Sequence, residues 1–139
     1  MNNLLISTAA VVSLLVTAYA SASVEQAKQL GTSYANQEAL KQCYSKVDSK
    51  YAKALSVLGD EMDYLSIMTK VDQHIHPMDM LKIIYDYPDA QAVKMIEYGY
   101  AWATRKDELT ELYKTSGKNA TVFCDAVSDK VLSSDNLVF

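Results

Sequence analysis

The chain has no charged residue before Glu25, no C-x-x-C pair, no glycine-rich phosphate loop and no strand-like alternation of useful length. Each absence narrows the field. Without C-x-x-C spacing, a cysteine-based metal site is disfavoured, and without C-x-x-C-H so is covalently attached haem. No serine stands in a nucleophile elbow and no loop could cradle a phosphate, so nothing points to an enzyme or a cofactor. There is no internal repeat and no low-complexity tract. Lysine and arginine total 13 against 17 acidic residues, a net charge of −4. That balance leaves no basic footprint for nucleic acid and argues against binding to anionic membranes.

What is present begins with an apolar run over residues 4–18. A comfortable membrane span needs about 20 residues, so the run is short for one. Small residues with A-x-A spacing follow, as Ala18-Tyr19-Ala20 or Ala20-Ser21-Ala22. This is the pattern of a secretory signal peptide and its cleavage site, although Met1-Asn2-Asn3 carries no lysine or arginine. The expectation is a signal peptide over 1–22 and a single helical domain over 23–139. The product would be periplasmic or extracellular, with no stable membrane insertion after the leader is removed. No cysteine sits at the cleavage site, which argues against a lipoprotein.

The mature part reads as all-α, a small bundle of about five helices. After a first segment that Gly31 could interrupt, a strong helix is expected over 37–58. Leu40, Tyr44, Val47, Tyr51, Leu55 and Leu58 form its apolar stripe, with Cys43 at its border. Gln42, Lys46, Ser49 and Lys53 face the other way, with Lys50 at the edge. Gly59 would end this helix, and Asp60 with Asp63 would cap the next, whose apolar face is Tyr64, Ile67, Met68, Val71 and Ile75. Pro77 would stop that helix and start a short one, with Met80, Leu81, Ile84 and Tyr85 inside. A long helix over 88–117 carries the lone tryptophan, Trp102. Pro88 suits its first turn and Gly117 a left-handed C-cap. Val93, Ile96, Tyr100 and Ala103 recur on one face, Gly99 would let another helix approach, and Thr104 before Asp107 suggests a bend. In the last helix Cys124, Val127 and Val131 share a face beside Phe123. The stretch 133–139 reads as a frayed tail.

Two cysteines in an exported chain are expected to pair, tying the first long helix to the last. Two buried free thiols are the alternative. The loop so closed has roughly 80 residues, worth roughly 4–5 kcal/mol in the chain-entropy account.

The run His74-Ile75-His76-Pro77-Met78-Asp79-Met80 holds soft or borderline metal ligands. His74 and His76, two apart, would point to different sides of a helix, and Met78 and Met80 equally suit packing. The carboxylates Asp60, Glu61 and Asp63 read as a helix start, and Asp107, Glu108 and Glu111 as an exposed face beside Arg105 and Lys106. Asn119-Ala120-Thr121 matches the N-glycosylation sequon, which has meaning only in a eukaryotic chain. The turn Tyr85-Asp86-Tyr87-Pro88 breaks the helical pattern. Tyr87 falls off the apolar stripe there, so Asp86, Tyr87 and Asp89 are the candidate partner-binding residues.

In layout the chain resembles the small periplasmic immunity proteins that protect bacteria from the cell-wall amidases of type VI secretion (the Rap/Tai kind). Those proteins are exported, mostly helical and about this size, with one cysteine early in the mature chain and one in the last helix. Cys43 and Cys124 hold those places, and Phe123-Cys124-Asp125 leads into the last helix. The resemblance covers most of the mature chain in layout and the two cysteines in residues. It implies a protein that binds and blocks a wall-degrading enzyme. No inhibitory loop is carried over, because no motif here matches one.

Three readings of function stay open. The first is binding of a protein partner as inhibitor or immunity factor. It fits the missing catalytic constellation, the acidic balance and ten tyrosines, of which only Tyr19 lies in the leader. The second is a carrier of metal or small ligands using the His74–Met80 run or a pocket beside Trp102. The third is a structural or secretion accessory.

Overall fold

The computed structural model describes residues 2–134, with side chains from Ser23 onward. The expected leader side chains and cleavage site up to residue 22, and the tail beyond Ser134, lie outside the described residues. Five α-helices follow one another: α1 (Asn2–Lys46), α2 (Ala52–Thr69), α3 (Pro77–Ile83), α4 (Asp89–Thr115) and α5 (Ala120–Leu132). A 3-10 turn at Ser49–Tyr51 precedes α2, and another at Ile84–Asp86 follows α3. No strand occurs among the described residues. None of their helices is long and apolar enough to cross a membrane.

α1 is the post on which the bundle is built. α4 packs along it most extensively, α2 next, and α5 across its second half. Contacts at Gly31–Tyr98 and Asn36–Arg105 climb both helices in the same direction, so α1 and α4 run parallel. Their backbones nearly touch. A Cβ on Gly31 would lie 2.1 Å from the Tyr98 carbonyl oxygen and 3.0 Å from the Trp102 nitrogen. Gly31 therefore does not interrupt the helix; it is the point where the two main helices cross. Gly99 has the lesser role of receiving the Leu81 side chain of α3, 3.3 Å from where its Cβ would be.

The expected helix over 37–58 breaks earlier. α1 stops at Lys46, and Asp48 is extended (φ −159°, ψ 139°), its side chain accepting a hydrogen bond from the Lys50 amide at 2.7 Å. A short acceptor that satisfies an orphan amide outside the helix competes with the i→i−4 ladder, and here it wins. The apolar stripe is broken with it: Leu40 and Tyr51 are buried, whereas Tyr44 and Val47 are exposed. α2 then passes straight through Gly59, so Asp60 and Asp63 lie inside a helix and cap nothing. Glycine costs about 1 kcal/mol there, but Ala54, Leu58, Met62 and Leu65 on the buried face hold the helix together.

α2 ends well before Pro77. Lys70 takes a left-handed conformation (φ 60°), and the Thr69 hydroxyl donates to the Leu65 carbonyl while accepting from the Val71 amide. Val71 and Ile75, expected on α2, pack from the connection instead. α4 is one unbroken helix through Gly99 and Thr104, and Gly117 has φ +67° after its end, as its sequence position implies. Its buried face is Met95, Tyr98, Gly99, Trp102, Arg105 and Leu109, not the one containing Val93 and Tyr100, both exposed.

Arg105 is buried rather than solvated. Its Nε donates to Asn36 Oδ1 on α1 at 2.8 Å, and its guanidinium meets Glu108 at 3.1 Å. A buried cation needs such partners, because an unsatisfied one would lose its full hydration. Cys124, Val127 and Val131 of α5 face the core as expected. Cys124 is joined to Cys43 of α1, with 5.8 Å between their Cα atoms.

Candidate functional site

The α3–α4 connection is where the chain turns aromatic and acidic side chains outward. After α3 the backbone tightens into the 3-10 turn, whose three-residue period no longer follows the apolar stripe of an α-helix. Leu81 and Ile84 stay half-buried, but Tyr85, expected inside, is 90% exposed. Tyr87 is extended (φ −115°, ψ 152°), the conformation that a following proline imposes. Pro88 occupies the N-cap of α4 rather than its first helical position, and Asp89 lies in the first turn, where a carboxylate suits the helix dipole. Residues 85–90 are exposed without interruption.

This turn is held from behind. Gln91 Nε2 donates to the carbonyls of Thr69 at 3.2 Å and Lys70 at 2.9 Å, fixing the first turn of α4 on the end of α2. The same end of the bundle therefore carries Ile67 (76% exposed), Met68 and Val93, also exposed. The structure brings Asp86, Tyr87 and Asp89 together on one exposed turn. Tyr85, Ile67, Met68 and Val93, all expected on buried apolar faces, are exposed instead. Tyr85 could have been found by allowing for a tighter turn before Tyr87-Pro88.

The His74–Met80 run is spread over solvent, aromatic cage and core. His74 is exposed, and its amide donates to Asp72 Oδ1 at 2.9 Å. His76 caps α3: its Nδ1 accepts from the Met78 amide at 3.1 Å. That acceptor role leaves the ring proton on Nε2, which faces Glu38 Oε2 at 3.6 Å. Tyr34 and Trp102 meet the imidazole edge-on, at 5.5 and 4.8 Å between centroids. The Glu38 carboxylate accepts a hydrogen bond from Trp102 Nε1, so one side chain of α1 holds the indole and faces the imidazole. Met78 is half-exposed, whereas Met80 is sealed in the core. No cluster of three or more histidine, cysteine or acidic side chains fit for a metal occurs among the described residues.

Burial pushes the Glu61 carboxyl above its ordinary range, against a hydrogen bond from Ser33. Asp63 accepts from Gln73, and Asp107, Glu108 and Glu111 are exposed on α4. Asn119 of the sequon caps α5, its Oδ1 accepting from the Val122 amide at 3.1 Å.

Asp125 on α5 ties down the first 3-10 turn. It accepts from the Tyr51 hydroxyl at 2.8 Å and pairs with Lys50 at 3.1 Å. The Tyr51 hydrogen bond, then Lys50, hold its carboxyl below the usual value. A depressed carboxyl pKa adds stability that is complete above the unfolded value and is lost as pH falls through the folded one. Tyr51→Phe should therefore move the Asp125 titration upward toward the ordinary carboxylate range. A carboxyl-carbon NMR titration reads this directly, and an unmoved midpoint would refute the assignment.

Comparison with protein-family models, with curated proteins and with solved structures finds no match to this chain.

Proposed function

We propose that the protein is exported and acts by binding another protein through the α3–α4 turn. The observation that carries this reading is the unbroken exposure of Tyr85, Asp86, Tyr87, Pro88 and Asp89 on a turn braced by Gln91. Tyrosine offers broad contact area at little entropic cost, and a proline-stiffened turn loses little freedom on docking. Among the described residues neither Asp86 nor Asp89 forms an ion pair within the chain. Both are available to a basic cleft, where charge complementarity speeds encounter at low salt. Ile67, Met68 and Val93 widen the contact beyond the turn.

The apolar leader and the disulfide support export. The layout resemblance supports a wall-degrading amidase as the kind of partner, which the protein would block as an immunity factor. The partner is sought in periplasmic or extracellular extract and, first, in the product of any wall-hydrolase gene beside its own. Asp86→Ala, Tyr87→Ala and Asp89→Ala combined should weaken binding by about 30-fold or more, the loss of one aromatic hot spot with its acidic rim. Melting temperature is measured in parallel. A variant that keeps both its fold and its full affinity would show that the partner docks elsewhere.

A further inference from the structure

At the other end of α4 lies an apolar groove that the partner surface does not use. It has a volume of about 570 Å³, within the roughly 300–1,000 Å³ of small-molecule sites. Its origin is visible in the packing. α4 and α5 barely touch each other, and both lean on α1, where small side chains (Ala35, Ala39 and Cys43) form the floor. The disulfide closes that floor, and Leu109, Tyr113 and Phe123 make the walls. Tyr113 and Phe123 pack edge to face against each other, 5.7 Å between centroids.

The polar residues at its edge are unevenly charged. Glu38 is the single carboxylate of the lining, and it is engaged by Trp102 and His76. Lys106 lies over the Trp102 ring, 4.9 Å from its centroid. Lys46 stands two helical turns from Glu38, one turn beyond Gln42, and both line the groove. Among the described residues Lys46 has no acidic partner. The Lys46 end thus offers a cation and an amide donor beside an apolar trough, in a molecule whose net charge is −4.

We infer that this groove binds a single-chain amphiphile with an anionic head, its acyl chain along Ala39, Leu109 and Phe123 and its carboxylate on Lys46 and Gln42. The trough follows α1 from residue 35 to 47, roughly 18 Å at 1.5 Å per residue, long enough for an extended acyl chain. Each buried methylene favours binding by hydrophobic transfer, and the lysine selects the charge of the head. The site is separate from the proposed partner surface by roughly 25 Å, the length of α4 from Asp89 to Lys106. Either can therefore fail without the other.

The test is calorimetric titration of the oxidised protein with dodecanoate below its micelle concentration, with dodecanol and dodecyltrimethylammonium as controls. Saturable one-to-one binding of dodecanoate is expected, with the alcohol weaker by about tenfold or more and no binding of the cation. Lys46→Glu should weaken dodecanoate by about tenfold or more, and Thr110→Trp, which fills the groove from an exposed position, should abolish binding. Circular dichroism confirms that both variants fold. The inference is overturned by the absence of saturable dodecanoate binding, by equal affinity for dodecanol, or by unchanged affinity in either variant.

Discussion

Reducing the Cys43–Cys124 disulfide, or replacing both cysteines by alanine, should lower the unfolding free energy by roughly 4–5 kcal/mol and the melting temperature by roughly 10–20 °C. The cysteines are 81 residues apart, so the bridge removes a large loop from the freedom of the unfolded chain. The cost to α5 should be greatest. That helix meets α4 chiefly through the Tyr113–Phe123 ring pair and is otherwise held by Val127, Val131 and the Tyr51–Asp125 hydrogen bond besides the disulfide. Both sulfurs sit in the core, so alanine would also leave small voids that add to the loss. Urea melts with and without reductant measure the total, and amide exchange locates it. Protection should fall first in α5, while α1 and α4 keep theirs. A loss below about 1 kcal/mol would mean that packing alone holds α5, and the loop-entropy account would not apply here.

The disulfide and the all-helical class were legible because each rests on a signal that packing does not override. An even cysteine count behind an apolar N-terminal run suggests pairing, and Cys124, Val127 and Val131 repeat at helical steps. The helix boundaries were less legible. Asp48 is a good N-cap residue, but it sits within a stripe of apolar residues that reads continuously from Leu40 to Leu58. Gly59 looks like a terminator by propensity, yet the buried side chains around it decide the matter. On α4, apolar and aromatic side chains occur on both sides, so periodicity did not choose between the face of Tyr100 and that of Tyr98 and Trp102. Arg105 carried the deciding information in disguise, since an arginine is read as solvated until its buried partner, Asn36, is seen. The exposed turn was partly legible, because Tyr87 before Pro88 must leave the helix. Tyr85 was not, because the 3-10 turn changes the angular step per residue.

Gly31→Ala should be among the most damaging single substitutions in the domain, although alanine is the better helix former by about 1 kcal/mol. The reason is the crossing of α1 and α4. An added methyl would sit 2.1 Å from a backbone oxygen, 3.0 Å from a backbone nitrogen and 3.1 Å from the Ala101 Cβ. Backbone atoms in two helices cannot rotate away as a flexible side chain would, so the helices must separate along their largest shared interface. That separation would loosen Trp102 from Glu38 and Arg105 from Asn36, both of which bridge the same two helices. Overpacking of this kind costs about 3 kcal/mol or more after the gain in propensity is counted. Gly59→Ala is the matched control. It lies inside α2 with nothing within 4 Å of its would-be Cβ, so it should stabilise by about 0.5–1 kcal/mol. Urea unfolding of the two variants beside the parent separates the effects, and the near-ultraviolet signal of Trp102 should weaken only in Gly31→Ala. If Gly31→Ala proved as stable as the parent, the close contact of α1 and α4 would not exist in solution.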